Sequence, residues 1–314
     1  MPRPHPTQPD PDPDRGWPSC DQERPGVWIR PLGHADLQAL LVHLGDHDRD
    51  ERLLTGPGWR RPARGGPVVA VRVRASIGRP GTSAQAQYRR RRASEHAAWT
   101  HGLPRRAAAV LAAGAAAGLL AAQLAPHLTP LAVAMAVAGL GWQLRFRPSP
   151  ETQAWQHGAK GERRTARLLV PLERHGWAIL HDLAIPGSPA NINHLAIGPG
   201  GVLVIDSKQY RGRLRLDGYG MLWHGRHLLV STLCKTRWAA DQADEVLGIA
   251  DLQIPAIVAV HGASVPWGRV HSDGATVVPA RWVPELLQAL PPTLGPEQVA
   301  WLADRARLRF HPAA

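Results

Sequence analysis

Cysteine is nearly absent: the chain has two in 314 residues, Cys20 and Cys234, far apart and in unlike contexts. That excludes a disulfide framework and a zinc site built on cysteine pairs, and it fits a reducing compartment. Lysine is scarce beside abundant arginine, alanine, glycine and proline, a compositional habit of a GC-rich genome that weakens any argument from arginine count alone. The opening M-P-R-P-H-P-T-Q-P-D-P-D-P-D has no apolar core behind its charges, so it is not read as a signal peptide but as a Pro/Asp tail that cannot pack. No internal repeat is visible.

Positive charge is plentiful. The formal net charge is +12 and the pI lies near 11.1, which suits an anionic partner, nucleic acid or anionic lipid, without choosing between them. Residues 1–65 read as linker, with an amphipathic helix of about two or three turns at Ala35–Leu44, and Val68–Val73 has strand character. The whole of 1–106 is expected to be a Pro/Arg-rich, partly disordered cytoplasmic segment.

Four arginines, Arg89–Arg92, and then Arg105 and Arg106 precede Ala107–Ala125, nineteen residues without a charge. As a helix rising about 1.5 Å per residue this run measures roughly 28 Å, near the ~30 Å of a bilayer core. A second uncharged run, Leu131–Leu144, is closed by Arg145 and Arg147, and matches that length only with His127–Pro130 included. Arginine on both outer flanks and none between predicts a transmembrane hairpin over 107–144 with both termini cytoplasmic, and an anionic lipid contact near Arg89–Arg92. Small residues (Gly114, Ala115, Gly118, Ala136, Gly139) would let the two helices approach closely. The alternative is a buried Ala-rich hairpin in a soluble protein.

After a polar linker at 145–155 the character becomes that of an ordinary globular domain, 156–314. A helix is predicted from about Gln156 to Arg174, strands at Trp177–Leu183, Ile192–Ile197 and Val202–Ser207, short strands in R-G-R-L-R-L and W-H-G-R-H-L-L-V, a helix over Arg237–Ile249, strands at Ile254–Val260 and Ala275–Val278, and helices over Arg281–Leu290 and Pro296–Arg307. The expected fold class is α/β, a mixed central sheet flanked by helices.

The chemistry concentrates in N-H-L-A-I-G-P-G-G-V-L-V-I-D-S-K, Asn193–Lys208. Strand alternation puts Asp206 and Lys208 on one face and Ser207 on the other. An acid and a lysine held so can bind a divalent cation and offset charge on an attacked phosphate; an isolated D-x-K is common and carries little weight. Glu162 offers a second carboxylate, or else simply complements a helix dipole. Asn193 has a neutral amide oxygen where a metal prefers a charge. His194 reads equally as a donor at the site or a packed strand histidine. Gln242 reads as a residue orienting water or touching phosphate, or as a plain surface residue. Tyr210, Arg211 and Arg213 make a basic, aromatic rim suited to a phosphate backbone.

G-E-R-R-T-A-R-L-L, H-D-L-A-I-P and N-I-N-H-L-A-I-G-P-G-G-V-L-V-I-D-S-K-Q-Y-R-G-R-L together resemble the nuclease-related domain (NERD) family, akin to the PD-(D/E)XK restriction-endonuclease-like fold, over residues 157–270. The resemblance implies a Mg²⁺-dependent nuclease in which Glu162 matches the family's helix acid, Asn193 its central metal-binding aspartate, Asp206 its second acid, Lys208 its lysine and Gln242 its helical glutamine. Where relatives read I-D-H-L, this chain has Ile192-Asn193-His194-Leu195, which implies a weakly held Mg²⁺ and slowed hydrolysis. Three readings follow: a nuclease acting on nucleic-acid phosphodiesters at the cytoplasmic membrane face, a non-catalytic nucleic-acid-binding descendant, and a protein-interaction module.

Overall fold

The computed structural model describes residues 77–313, apart from 125 and 250–251. The expected tail, the Ala35–Leu44 helix and the Val68–Val73 strand lie outside the described residues. The chain divides into two units: Ala84–His157, and the segment ending at Ser83 together with the residues from Gly158 onward.

In the first of these, helix α1 (Thr82–His101) runs where a partly disordered segment was expected. Its T-S-A-Q-A-Q-Y-R-R-R-R-A-S-E-H-A-A-W-T-H has no proline or glycine, and Ala, Gln and Arg carry good helix propensity. Helix α2 (Leu103–Leu124) and helix α3 (Thr129–Gln143) follow. Where they cross, a Cβ on Gly114 would stand 2.7 Å from that of Ala136, so glycine sets the approach. Leu103–Gln123 is long and apolar enough to cross a membrane, and none of it is buried. The second expected span does not reach that length: His127 sits in a 3₁₀ turn, and the 15 residues of α3 rise only about 22 Å.

Helix α4 (Pro150–Leu169) begins inside the expected linker. Ser149 explains why: its Oγ accepts from the Thr152 N–H at 3.1 Å, Pro150 needs no donor at the first position, and Glu151 sits at the positive end. Glu95 accepts from the Ser149 N–H and hydroxyl and from the Thr152 hydroxyl, which lower its pKa.

From Gly158 onward the architecture is mixed α/β. Strand β1 (Ala178–Ala184) pairs antiparallel with β2 (Asn191–Gly198), and β2 with β3 (Gly201–Leu216). β3 then runs parallel to β6 (Ala256–Ser264), β6 parallel to β8 (Ala275–Pro279), and β7 (Val270–Ser272) closes the far edge antiparallel. The short β4 (Leu222–His224) and β5 (His227–Leu228) hang from the outer half of β3. β7 was not anticipated, and β3 is one 16-residue strand where two were expected.

Side-chain alternation sorts the core into two layers. Leu195, Ile197, Val202, Val204, Val258 and Val260 pack with helix α5 (Val230–Leu247) and helix α7 (Pro296–Arg309). Ala196, Leu203, Ile205, Ile257 and Ala259 pack with the end of α4, the 3₁₀ turn after it and helix α6 (Val283–Gln288). Val202–Ile205 of β3 and Ala256–Val260 of β6 are buried on both faces, which is why these stretches read as unbroken apolar runs.

Candidate functional site

Each face of the sheet carries its own polar cluster where β2 and β3 leave the core. Asn193 and Asp206 continue the parity of Leu195 and Val204, so both face α5. The Asn193 amide donates to Asp206 Oδ1 at 3.0 Å, the Lys208 ammonium lies 2.8 Å from Asp206 Oδ2, and the Thr236 hydroxyl of α5 donates to that same oxygen at 3.1 Å. Asp206 and Lys208 thus meet as the strand period requires. Burial works against the Lys208 charge, but the Asp206 carboxylate overcomes it and holds the pKa above the usual value.

Glu162, on α4, is 5% exposed, and its Oε2 is buried with no hydrogen-bond partner. Burial, followed by the charges of Asp182 and Asp206, pushes its pKa up to about 8, against the opposing pull of Lys208 and a hydrogen bond from the Gly81 backbone. Its acid is therefore protonated at neutral pH. Asp182 is buried in a left-handed conformation, φ 50°, which an aspartate tolerates. It accepts from the Ser83 N–H at 2.7 Å, from the Ser83 hydroxyl at 2.5 Å and from the Asn191 amide at 2.7 Å. Ile77–Ser83 thereby lies across β1, where a Cβ on Gly78 would stand 1.8 Å from the His181 carbonyl oxygen. Only glycine permits that approach.

On the α4 face, five side chains link in series. His181 Nδ1 meets His194 Nδ1 at 2.8 Å, His194 Nε2 meets Ser207 at 3.1 Å, Ser207 donates to Thr165 at 2.7 Å, and Thr165 meets His261 Nε2 at 2.7 Å. Burial lowers the pKa of His181 to about 4 and that of His194 well below its usual value. Both rings are neutral at physiological pH, and one set of tautomers satisfies every link: His181 Nδ1–H donates to His194, His194 Nε2–H to Ser207, and the Thr165 hydroxyl to His261.

Of the two readings of His194, a donor at the site or a packed strand histidine, the surroundings are those of the second: it is fully buried between His181 and Ser207. Gln242, read as a residue touching water or phosphate or as a plain surface residue, donates its amide to Glu245 at 3.1 Å, and Thr236 is the α5 residue that reaches Asp206. Arg211 and Arg213 are exposed on β3, on either side of Gly212, where the β3–β6 register slips. Tyr210 stacks on His224, ring centroids 4.4 Å apart.

Asp182, Thr236, Thr165 and the Ile77–Ser83 segment were missed. H-D-L alternates poorly for a buried strand, which was the available sign for Asp182; nothing local marks Thr236. Among the described residues no three His, Cys, Asp or Glu side chains cluster as metal ligands would.

The mixed sheet thus carries an acid and a lysine along a central strand, with a buried helix acid in electrostatic reach. Residues 157–258 match the family model of the nuclease-related domain, whose general context is the PD-(D/E)XK-like fold. No curated protein and no solved structure matches the chain.

Proposed function

We propose that the nuclease-related domain acts on nucleic-acid phosphodiesters, with a Mg²⁺ ion held weakly by Glu162, Asp206 and Asn193. The observation that carries this reading is the orphaned, buried Oε2 of Glu162 in the electrostatic reach of Asp206. An unpaired buried carboxyl oxygen costs about 1–3 kcal/mol, and a cation would remove that cost by ionising the group. A bound Mg²⁺ supplies Lewis-acid polarisation of a phosphoryl oxygen. Lys208, oriented by Asp206 Oδ2, is placed to offset charge on the attacked phosphate. Asn193 contributes a neutral amide where a carboxylate would bind more tightly, so the ion is weakly held and hydrolysis slow. Arg211 and Arg213 offer the backbone contacts, with Tyr210 beside them.

A second reading has its own support. The Asp206 carboxylate is already bonded to Lys208, Asn193 and Thr236, a set of donors that can stand in for a metal. On that reading the domain binds nucleic acid without cleaving it.

We further propose attachment to the cell membrane through residues 107–144, with both termini cytoplasmic. Leu103–Gln123 supports it by length and composition. So does the aromatic and basic character around residues 107–144: Arg147 lies over the Trp142 ring at 4.3 Å, and the His96, Trp99 and Phe146 rings cluster. Anionic lipid would meet Arg89–Arg92.

The test is cleavage of single- and double-stranded DNA by the detergent-solubilised full chain with Mg²⁺ or Mn²⁺, beside Asn193→Asp and Lys208→Ala. Expected are slow metal-dependent cleavage, a gain of at least about tenfold for Asn193→Asp, and loss for Lys208→Ala. If neither the parent nor Asn193→Asp cleaves in Mn²⁺, the catalytic reading fails and the binding one remains.

A further inference from the structure

The outer face of α4 carries charge that neither the Asp206 site nor the β3 rim uses. Lys160, Arg163, Arg164 and Arg167 follow at spacings of three, one and three residues, so they form one stripe along the helix. With Pro80, Val170 and His181 they line a cleft of about 560 Å³. Among the described residues none of the four cations pairs with a carboxylate, although the helix carries Glu162 in the same stretch. Glu162 turns inward and is buried, so it neutralises nothing in the cleft. Arg164 donates to Gln209 Oε1 at 2.8 Å, which anchors the stripe to the middle of β3.

We propose that this cleft is a seat for the phosphate backbone of a nucleic-acid strand bound by this domain. The inference rests on the nucleic-acid reading above and assigns a surface to it. From Lys160 to Arg167 the helix rises about 10.5 Å, enough to meet more than one phosphate of a strand. Guanidinium groups fork onto phosphate oxygens, and three of the four cations are arginine. The concavity and the apolar Pro80 and Val170 in its wall suit a strand with sugars and bases to accommodate. An anionic lipid surface would instead favour a flat or convex basic face.

The test is fluorescence anisotropy of a labelled 20-nucleotide single strand with the detergent-solubilised full chain, titrated between 50 and 200 mM salt. The variants are Arg163→Ala/Arg167→Ala, the charge-keeping Arg163→Lys/Arg167→Lys, and Arg281→Ala/Arg309→Ala as a charge-matched change elsewhere. Expected is at least tenfold weaker binding for the first, with a salt slope shallower by about 1.4, two contacts at about 0.7 each. The lysine pair should keep the slope, and the distant pair should lose much less affinity. Thermal melts by circular dichroism check that each variant is folded. Binding by the α4 variant equal to that of the distant pair overturns the cleft while leaving nucleic-acid binding standing. No binding by the parent chain brings down the nucleic-acid reading and the cleft with it. Anionic phosphatidylserine vesicles run in parallel: a loss confined to vesicle binding assigns the stripe to membrane and overturns the proposal.

Discussion

Glu162 is the residue whose environment speaks most directly to chemistry. It is an acid kept neutral by burial and by two neighbouring carboxylates, with one oxygen left unpartnered. The consequence for stability has a definite sign. With an unfolded value of 4.5 and a folded value of about 8, the folded chain keeps a proton that the unfolded chain has released between those pH values. That contribution is fully present below 4.5 and is lost as pH rises through about 8, falling by on the order of 1.4 kcal/mol for each pH step of one between the two values. Glu162→Gln should therefore flatten the fall in stability between pH 5 and 8.5, read as denaturant midpoints at the two ends. A parent profile as flat as the variant's would contradict the assignment. The same oxygen predicts that adding Mg²⁺ at pH 7 raises the melting temperature of the parent and not of Glu162→Gln. Asn193→Asp, by replacing a hydrogen bond to Asp206 with a second charge, should melt lower than the parent without metal and gain more from it.

At the scale of elements, the β2–β3 hairpin decides where the site residues point. Its G-P-G-G turn is locked from outside: the Thr293 and Leu294 N–H groups donate to the Pro199 carbonyl at 2.7 and 3.0 Å. Gly198 passes so close to Trp177 that a Cβ would lie 2.1 Å from the indole. Gly198→Ala should cost about 1–3 kcal/mol by displacing Trp177, and a slip there would move Asn193 away from Asp206. The check is paired: a lower melting temperature together with loss of whatever divalent-cation stabilisation the parent shows. An unchanged melting temperature would mean the indole has room to move. The opposite face of the same strands binds His181, His194 and Ser207 to α4 through Thr165. Buried neutral polar groups with every proton assigned stiffen a core, and this one couples the helix carrying Glu162 to the strand carrying Asp206.

For the whole molecule, the question is how a basic nuclease-related unit relates to an apolar helix. The α2 stretch has no burial to account for its composition within the protein. Deleting residues 103–144 should convert carbonate-resistant membrane association into soluble recovery while leaving the cleavage or binding seen with the full chain intact. Recovery of the undeleted chain in the soluble fraction without detergent would contradict the anchor. With α3 only 15 residues long, the return crossing would rely on a locally thinned bilayer and on arginines reaching outward.

The sequence by itself determined the fold class, the hairpin and the pairing of Asp206 with Lys208, because these follow from local periodicity: two-residue alternation, Gly/Pro turns and unbroken apolar runs in Val202–Ile205 and Ala256–Val260. Only the tertiary structure decided that Thr236 rather than Gln242 reaches Asp206, that His194 is a core residue, that Asp182 and the Gly78–Ser83 segment enclose the neighbourhood of Glu162, and that the α4 arginines line a cleft. Each of these depends on contacts between residues far apart in the chain, and on which side of a helix or strand meets a neighbour, where local spacing carries no information. The acid and lysine of Asp206–Lys208 are a property of one strand; the charge state of Glu162 belongs to everything packed around it.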